Sequence, residues 1–285
     1  MVQVAVQRLL EYLSFPFVRN AIVTGILISL CAALIGVPLV LRRFAFIGAS
    51  LSHTAFSALA VASVLRISNG MFVVLPFTIL FSILIFYASS KRKQSSEAAV
   101  ALVSSGALGI GYLVMNVFSK KANLSGDVCT ILFGSVSILT LKKSEVLLTI
   151  VLSLLVIALF FVFYNKIFQC TFDRDFSCAT GTNVFVFDIS VSVLIAVIIV
   201  LSMNLVGSLL ISALLIFPPL ASMRLFKSFR AVVISSCALS VVCSVLGLLI
   251  AVLAGTPVGS TIVFADIVVY LICFAVGSFA SCHES

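Results

Sequence analysis

Long apolar runs separated by short polar breaks make up most of this chain. A helix needs about 20 apolar residues to cross the hydrocarbon of a bilayer. On that rule the pattern predicts spans near 18–41, 48–65, 71–90, 98–118, 145–164, 183–202, 204–221, 230–253 and 258–280. Nine crossings would place the termini on opposite sides of the membrane. The stretch 127–141 (DVCTILFGSVSILTL) is apolar but too short to span, and reads as an interfacial or re-entrant helix.

The breaks carry the charge. One set of loops holds Arg42, Arg43, Lys91, Arg92, Lys93, Lys166, Arg174, Arg224, Lys227 and Arg230; the other holds Arg8, Arg19, Arg66, Lys120, Lys121, Lys142 and Lys143. Basic residues accumulate on the cytoplasmic side, so the ten-to-seven tally points to a cytoplasmic C-terminus and an external N-terminus.

Composition agrees with that picture. Apolar residues are 62% of the chain, charged residues 9%, and mean hydropathy is +1.35. A water-soluble domain of this size would need far more polar surface, so the expected class is an all-α polytopic membrane protein, one transmembrane domain over 1–285 with its core at 18–280. The net charge of +8 belongs to topology-setting loops and does not indicate nucleic-acid binding. With 25 Phe, five Tyr and no Trp, any aromatic belt rests on Phe and Tyr. There is no nucleotide-binding loop and no soluble domain, so the chain is not expected to hydrolyse ATP or act as an enzyme. Arg8, Glu11 and Arg19 spread charge over the first segment, unlike a cleaved signal. Of the eight cysteines, Cys31, Cys237, Cys243 and Cys273 lie inside apolar runs as small hydrophobes, while Cys170 and Cys178 flank an expected cytosolic loop.

Chemistry concentrates in 42–58 (RRFAFIGASLSHTAFSA). Apart from His283 near the C-terminal end, His53 is the only histidine, and it lies in an apolar helix. An intramembrane ionisable residue faces protein or a water-filled path and reads first as functional. The alternative is a histidine that merely bonds a neighbouring carbonyl. The helix around it carries Gly48, Ala49, Ser50, Ser52, Ala55, Ser57, Ala58 and Ala60, small residues that let membrane helices approach closely, so it should be interior. Helical spacing puts Ala49, His53, Phe56 and Ala60 on one stripe.

Two other stretches stand out. The amphipathic insert 172–181 (FDRDFSCATG) has acids early and a Gly at its end, which suits a short helix, either a plain connector or a docking element. In 206–225, Pro218 and Pro219 are expected to break the helix and free backbone carbonyls. Glu145 sits at a span edge, Asp188 near a helix N-terminus, and Asp266 deeper inside a span.

In this order, these stretches resemble the permease subunits of bacterial ABC importers for zinc, manganese or ferrous iron. The resemblance rests on Gly36 with Leu41-Arg42-Arg43, Phe46-Ile47-Gly48 with Ser52-His53, Leu132-Phe133-Gly134-Ser135, the 172–181 insert, 206–224, and Thr256-Pro257 with Gly259, and it covers about 19–274. It implies a helical permease of the kind shared with vitamin B12 and siderophore importers, set in the bacterial cytoplasmic membrane as a homodimer or a heterodimer with a related permease. Two cytosolic ATPase subunits would supply ATP hydrolysis, and an extracytoplasmic metal-binding protein would deliver the divalent metal, with no cofactor held stably. It further implies that 172–181 is the coupling helix, with Asp173, Arg174, Asp175, Phe176 and Gly181 facing the ATPase, and that His53 lines the ion path, helped by Ser50 and Ser52. Many members of the family carry an Asp four residues before that His; here the position is Ala49. Rival readings are a permease for a metal chelate or cobalamin-like cofactor, and a gradient-driven secondary transporter using Asp188 and Asp266.

Overall fold

The computed structural model describes residues 15–65, 67, 71–91, 96–118 and 143–283. Among them the regular structure is entirely helical: α1 (Pro16–Leu41), α2 (Ala45–Val64), α3 (Met71–Lys91), α4 (Ser96–Phe118), α5 (Lys143–Val162), α6 (Tyr164–Phe172), α7 (Arg174–Ala179), α8 (Val184–Val206), α9 (Ser208–Leu225), α10 (Phe229–Ala254) and α11 (Val258–His283). The expected element at 127–141 and the motif Leu132–Ser135 lie outside the described residues.

Each expected span has a helix, but the count of crossings is looser. Among the described residues, six helices are long and apolar enough to cross a membrane, or seven when α5 and α6 are taken as one span bent by 64°. Helices α3 and α8 contribute shorter apolar stretches, Val73–Tyr87 and Val184–Val200. The outward faces of α4 and α11 carry Leu102, Ile110, Leu113, Phe264, Leu271 and Phe279, all exposed, as lipid contact requires.

The expected helix break at Pro218 and Pro219 is not found. Both prolines lie inside α9, which continues to Leu225. A proline removes the N–H that would bond the carbonyl four residues earlier, so these two leave Leu214 and Leu215 without their usual helical donors. Neighbouring packing, not a chain break, absorbs the loss. The real discontinuity is at Gly207, the single residue between α8 and α9, with φ 93° and ψ 157°, a region open essentially to glycine. This moves the expected span from 204–221 to Ser208–Leu225.

Helix α9 packs against α1, α2, α8, α10 and α11. Its Leu215 is the meeting point of the bundle. A Cβ on Gly36 of α1 would collide with the Leu215 carbonyl and stand 3.0 Å from the Pro219 ring, and one on Gly48 of α2 would stand 3.0 Å from a Leu215 methyl. The carbonyl freed by Pro219 is therefore covered by the bare Cα of Gly36. Helix α4 crosses α2 as tightly: a Cβ on Gly111 would sit 2.9 Å from the Phe56 ring, and Phe56 is fully buried. Buried hydroxyls tie further pairs, with Ser240 donating to the Ser29 carbonyl at 2.9 Å and Ser82 to that of Ser192 at 2.7 Å. Lipid tails give no hydrophobic reward for helix association, so close backbone approach and such bonds carry it.

Gly36→Ala is expected to lose at least about 1–3 kcal/mol through overpacking against a carbonyl that cannot yield. Gly106→Ala, where a Cβ would meet nothing within 4 Å, should be neutral or stabilising. Thermal unfolding of both variants in detergent, read against the wild type, checks the pair.

Candidate functional site

Helix α2 is an interior helix, as its small residues foretold: Ser50, Leu51, Ser52, Ala55, Phe56 and Ala60 are each 0% exposed. His53 lies mid-helix and half-buried, next to half-buried Ala49 and with exposed Phe46 a turn further toward the N-terminus. These three mark an open edge along the first half of the helix. On the same stripe Phe56 and Ala60 turn fully inward.

The Nδ1 of His53 is buried and has no hydrogen-bond partner among the described residues. A histidine serving only to satisfy a neighbouring carbonyl would show that bond. A neutral imidazole offers a donor on one nitrogen and an acceptor on the other, and it ligates metals through the unprotonated one. The Ser52 hydroxyl donates to the Gly48 carbonyl at 2.9 Å, and the Ser50 hydroxyl to that of Val100 on α4 at 3.4 Å. Both keep lone pairs, which suit a cation and not an anion. No three His, Cys, Asp or Glu side chains lie together as a metal cage among the described residues. The described cysteines, Cys31, Cys170, Cys178, Cys237, Cys243 and Cys273, are free thiols.

The turn between α1 and α2 sets where His53's helix begins. Arg43 takes φ 61°, the Arg43 N–H bonds the Val40 carbonyl at 3.0 Å, and the Phe44 N–H bonds that of Leu39 at 2.8 Å. This is a Schellman closure with a non-glycine residue in the left-handed position, at a cost of about 1–2 kcal/mol. Arg42 holds the turn. Its Nη2 meets Asp188 Oδ1 of α8 at 2.7 Å, with the two side chains 10% and 8% exposed. Its guanidinium lies 5.5 Å from the Phe44 ring centre, and Phe44 packs edge-on against Phe86 of α3. In the sequence Arg42 stands as a topology-setting residue and Asp188 as a helix-end acid, with nothing in their spacing to pair them. The available signal was that both sat at span edges on one expected side of the membrane.

Helix α7 is short and exposed. Asp173 caps it, accepting the Phe176 N–H at 2.8 Å, and Gly181 closes the segment at φ 80°. Phe176 is 54% exposed and Asp175 also faces outward. Residues 164–172 are anchored beside it by Tyr164, Phe168 and Phe172, whose rings meet Phe229 of α10 at 5.3–5.9 Å. Asn183 then caps α8, so the segment 173–181 leads directly into the helix bearing Asp188. Asp266 on α11 is 2% exposed; the Cys243 thiol of α10 stands beside it, yet neither carboxylate oxygen meets a partner in hydrogen-bond geometry among the described residues.

A family model, the ABC 3 transport family, matches residues 14–277. The chain belongs to that family. It is a membrane permease subunit of an ABC transporter and not an enzyme. The manganese import system permease protein ScaB of Streptococcus gordonii is 29% identical over 260 residues, covering 91% of each chain. The probable iron transport system membrane protein of Haemophilus influenzae is 27% identical over 271 residues, covering 94% of this chain and 96% of that one. Among solved structures, PsaBC from Streptococcus pneumoniae in complex with Fab superposes with a TM-score of 0.81 at 26% identity, covering 96% of this chain and 95% of that one.

In this permease, Asp188→Asn is expected to leave the Arg42 charge buried without its counterpart, costing about 3–5 kcal/mol. The exchange Arg42→Asp with Asp188→Arg should be more stable than the sum of its two single variants predicts, and Asp175→Asn, on the exposed segment, should lose nothing. Melting temperatures of the wild type, Arg42→Asp, Asp188→Arg and the double variant, treated as a double-mutant cycle, with Asp188→Asn and Asp175→Asn beside them, check this.

Proposed function

We propose that this permease imports a divalent transition metal, Zn²⁺, Mn²⁺ or Fe²⁺, across the bacterial cytoplasmic membrane, with His53 lining the path. The carrying observation is the half-buried His53 in mid-α2, whose Nδ1 is unpartnered among the described residues. The relatives named for manganese make Mn²⁺ the first cargo to test.

One imidazole binds such ions weakly, and Mn²⁺ prefers oxygen ligands. Hydroxyl lone pairs of Ser50 and Ser52, backbone carbonyls and water complete the coordination in passing. With Ala49 in the place where many members carry Asp, the site is a transit point that an ion can leave as readily as it enters. The delivery protein outside the membrane then sets metal selectivity.

Energy comes from two cytosolic ATPase subunits that dock on 172–181. The exposed Phe176 gives that helix an apolar knob, Asp173 caps it and Gly181 ends the segment, and Arg174 and Asp175 are the charged residues offered to the ATPase. A push on it passes through the Asn183 cap into α8, across Asp188 to Arg42, and so to the start of α2. Two permeases, identical or related, form the pathway between them, and their C-termini face the cytoplasm. Asp188, engaged by Arg42, is not available as the carboxylate of a gradient-driven carrier.

His53→Ala should cut Mn²⁺ uptake by an order of magnitude or more while leaving expression and ATPase binding intact; normal uptake in that variant would remove His53 from the path. Phe176→Ala should weaken ATPase binding without unfolding the permease. Concentrative uptake by the isolated chain in liposomes without ATP would overturn the importer reading altogether.

A further inference from the structure

A large cavity lies away from His53. It measures about 930 Å³ and lies between α1, α5, α6 and α8, directly above the 173–181 segment. That is near the upper end of the roughly 300–1,000 Å³ typical of ligand sites.

Its lining is graded. At the α7 end stand Lys166, Thr182 and Asn183; at the other end stand Val156, Leu159 and Leu194. The α8 wall runs from Asn183 to Leu194, roughly 16 Å at 1.5 Å per residue. Neither Asp nor Glu lines the cavity, while Arg42 and Lys166 do. Arg42 is neutralised by Asp188. Lys166 is exposed, has no carboxylate within ion-pair distance among the described residues, and rests its ammonium 5.9 Å from the Phe163 ring centre. Asn183 uses its carbonyl oxygen to cap α8, which leaves its amide N–H groups as donors. A polar, cationic mouth below an apolar shaft is complementary to an amphiphile with a negative head.

We propose that this cavity binds one anionic phospholipid, its phosphate held by Lys166 and Asn183 and an acyl chain lying along Leu159 and Leu194. Basic pockets between membrane helices on the cytoplasmic side take up such headgroups. This rests on the reading that 172–181 faces the cytoplasm. The lipid sits where α6 and α8 frame the coupling segment, so it stiffens the route from the ATPase to Asp188. A zwitterionic lipid lacks the net charge that Lys166 selects.

The test is native mass spectrometry of the permease, purified with its ATPase subunits from nanodiscs of equimolar phosphatidylcholine and phosphatidylglycerol. Retention of phosphatidylglycerol over phosphatidylcholine is expected. Lys166→Ala should lower that preference about fivefold, and Lys166→Arg should keep it. Leu159→Trp, which fills the shaft, should abolish retention; should it fail to fold, the exposed Lys166 variants still decide. Equal retention of both lipids, or a preference unchanged in Lys166→Ala, would overturn the proposal. Displacement of all lipid by the docked ATPase would do so as well. The readout needs neither metal nor transport, so it stands or falls separately from the import reading.

Discussion

The close approach of Gly36 to the Leu215 carbonyl is the constraint on which the packing of α1, α2 and α9 depends. Pro219 strips that carbonyl of its helical donor, and inside a membrane an unsatisfied backbone group must be sheltered by protein. Gly36 shelters it because it has no side chain to stand in the way, and Gly48 brings α2 onto the same leucine. Three helices are thereby fixed at one level. His53 lies about one and a half turns along α2 from Gly48, so its position follows from this contact.

Many buried hydroxyls bond a carbonyl of their own helix, and a few polar groups join one helix to another. Ser50, Ser82 and Ser240 donate hydrogen bonds that tie one helix to another, and Arg42 with Asp188 forms a buried pair at one end. Among the described residues, the ionisable side chains with buried, unpartnered atoms are His53 and Asp266, in addition to the hydroxyls of Ser208, Ser222 and Ser236. The first faces the open edge of α2; the second is sealed between α10 and α11 beside Cys243. Their difference in exposure separates a group that can meet a passing ion from one that cannot without rearrangement.

Much of this was legible in the chain. Apolar length gave the helices, the small residues of 48–60 marked α2 as interior, and the motif order resembled that of metal ABC importer permeases. The misreadings have physical causes. Pro218 and Pro219 look like a stop locally, but tertiary cover by Gly36 lets α9 run through them. The bend at Phe163 has no Pro or Gly to announce it; it comes with the aromatic packing of Tyr164, Phe168 and Phe172 on Phe229, residues more than 50 positions apart. The Arg42–Asp188 pair spans 146 positions, a distance that helical periodicity does not encode.

Gly207 carries a mechanical consequence. Helices usually meet through several loop residues whose torsions share out any displacement. Here two long helices meet through one buried residue, so φ and ψ of Gly207 are the main soft rotations between them. The joint has almost no slack. A tilt of α8 must appear as a tilt of α9 or as twist at that one α-carbon, and a side chain there would lock the pivot.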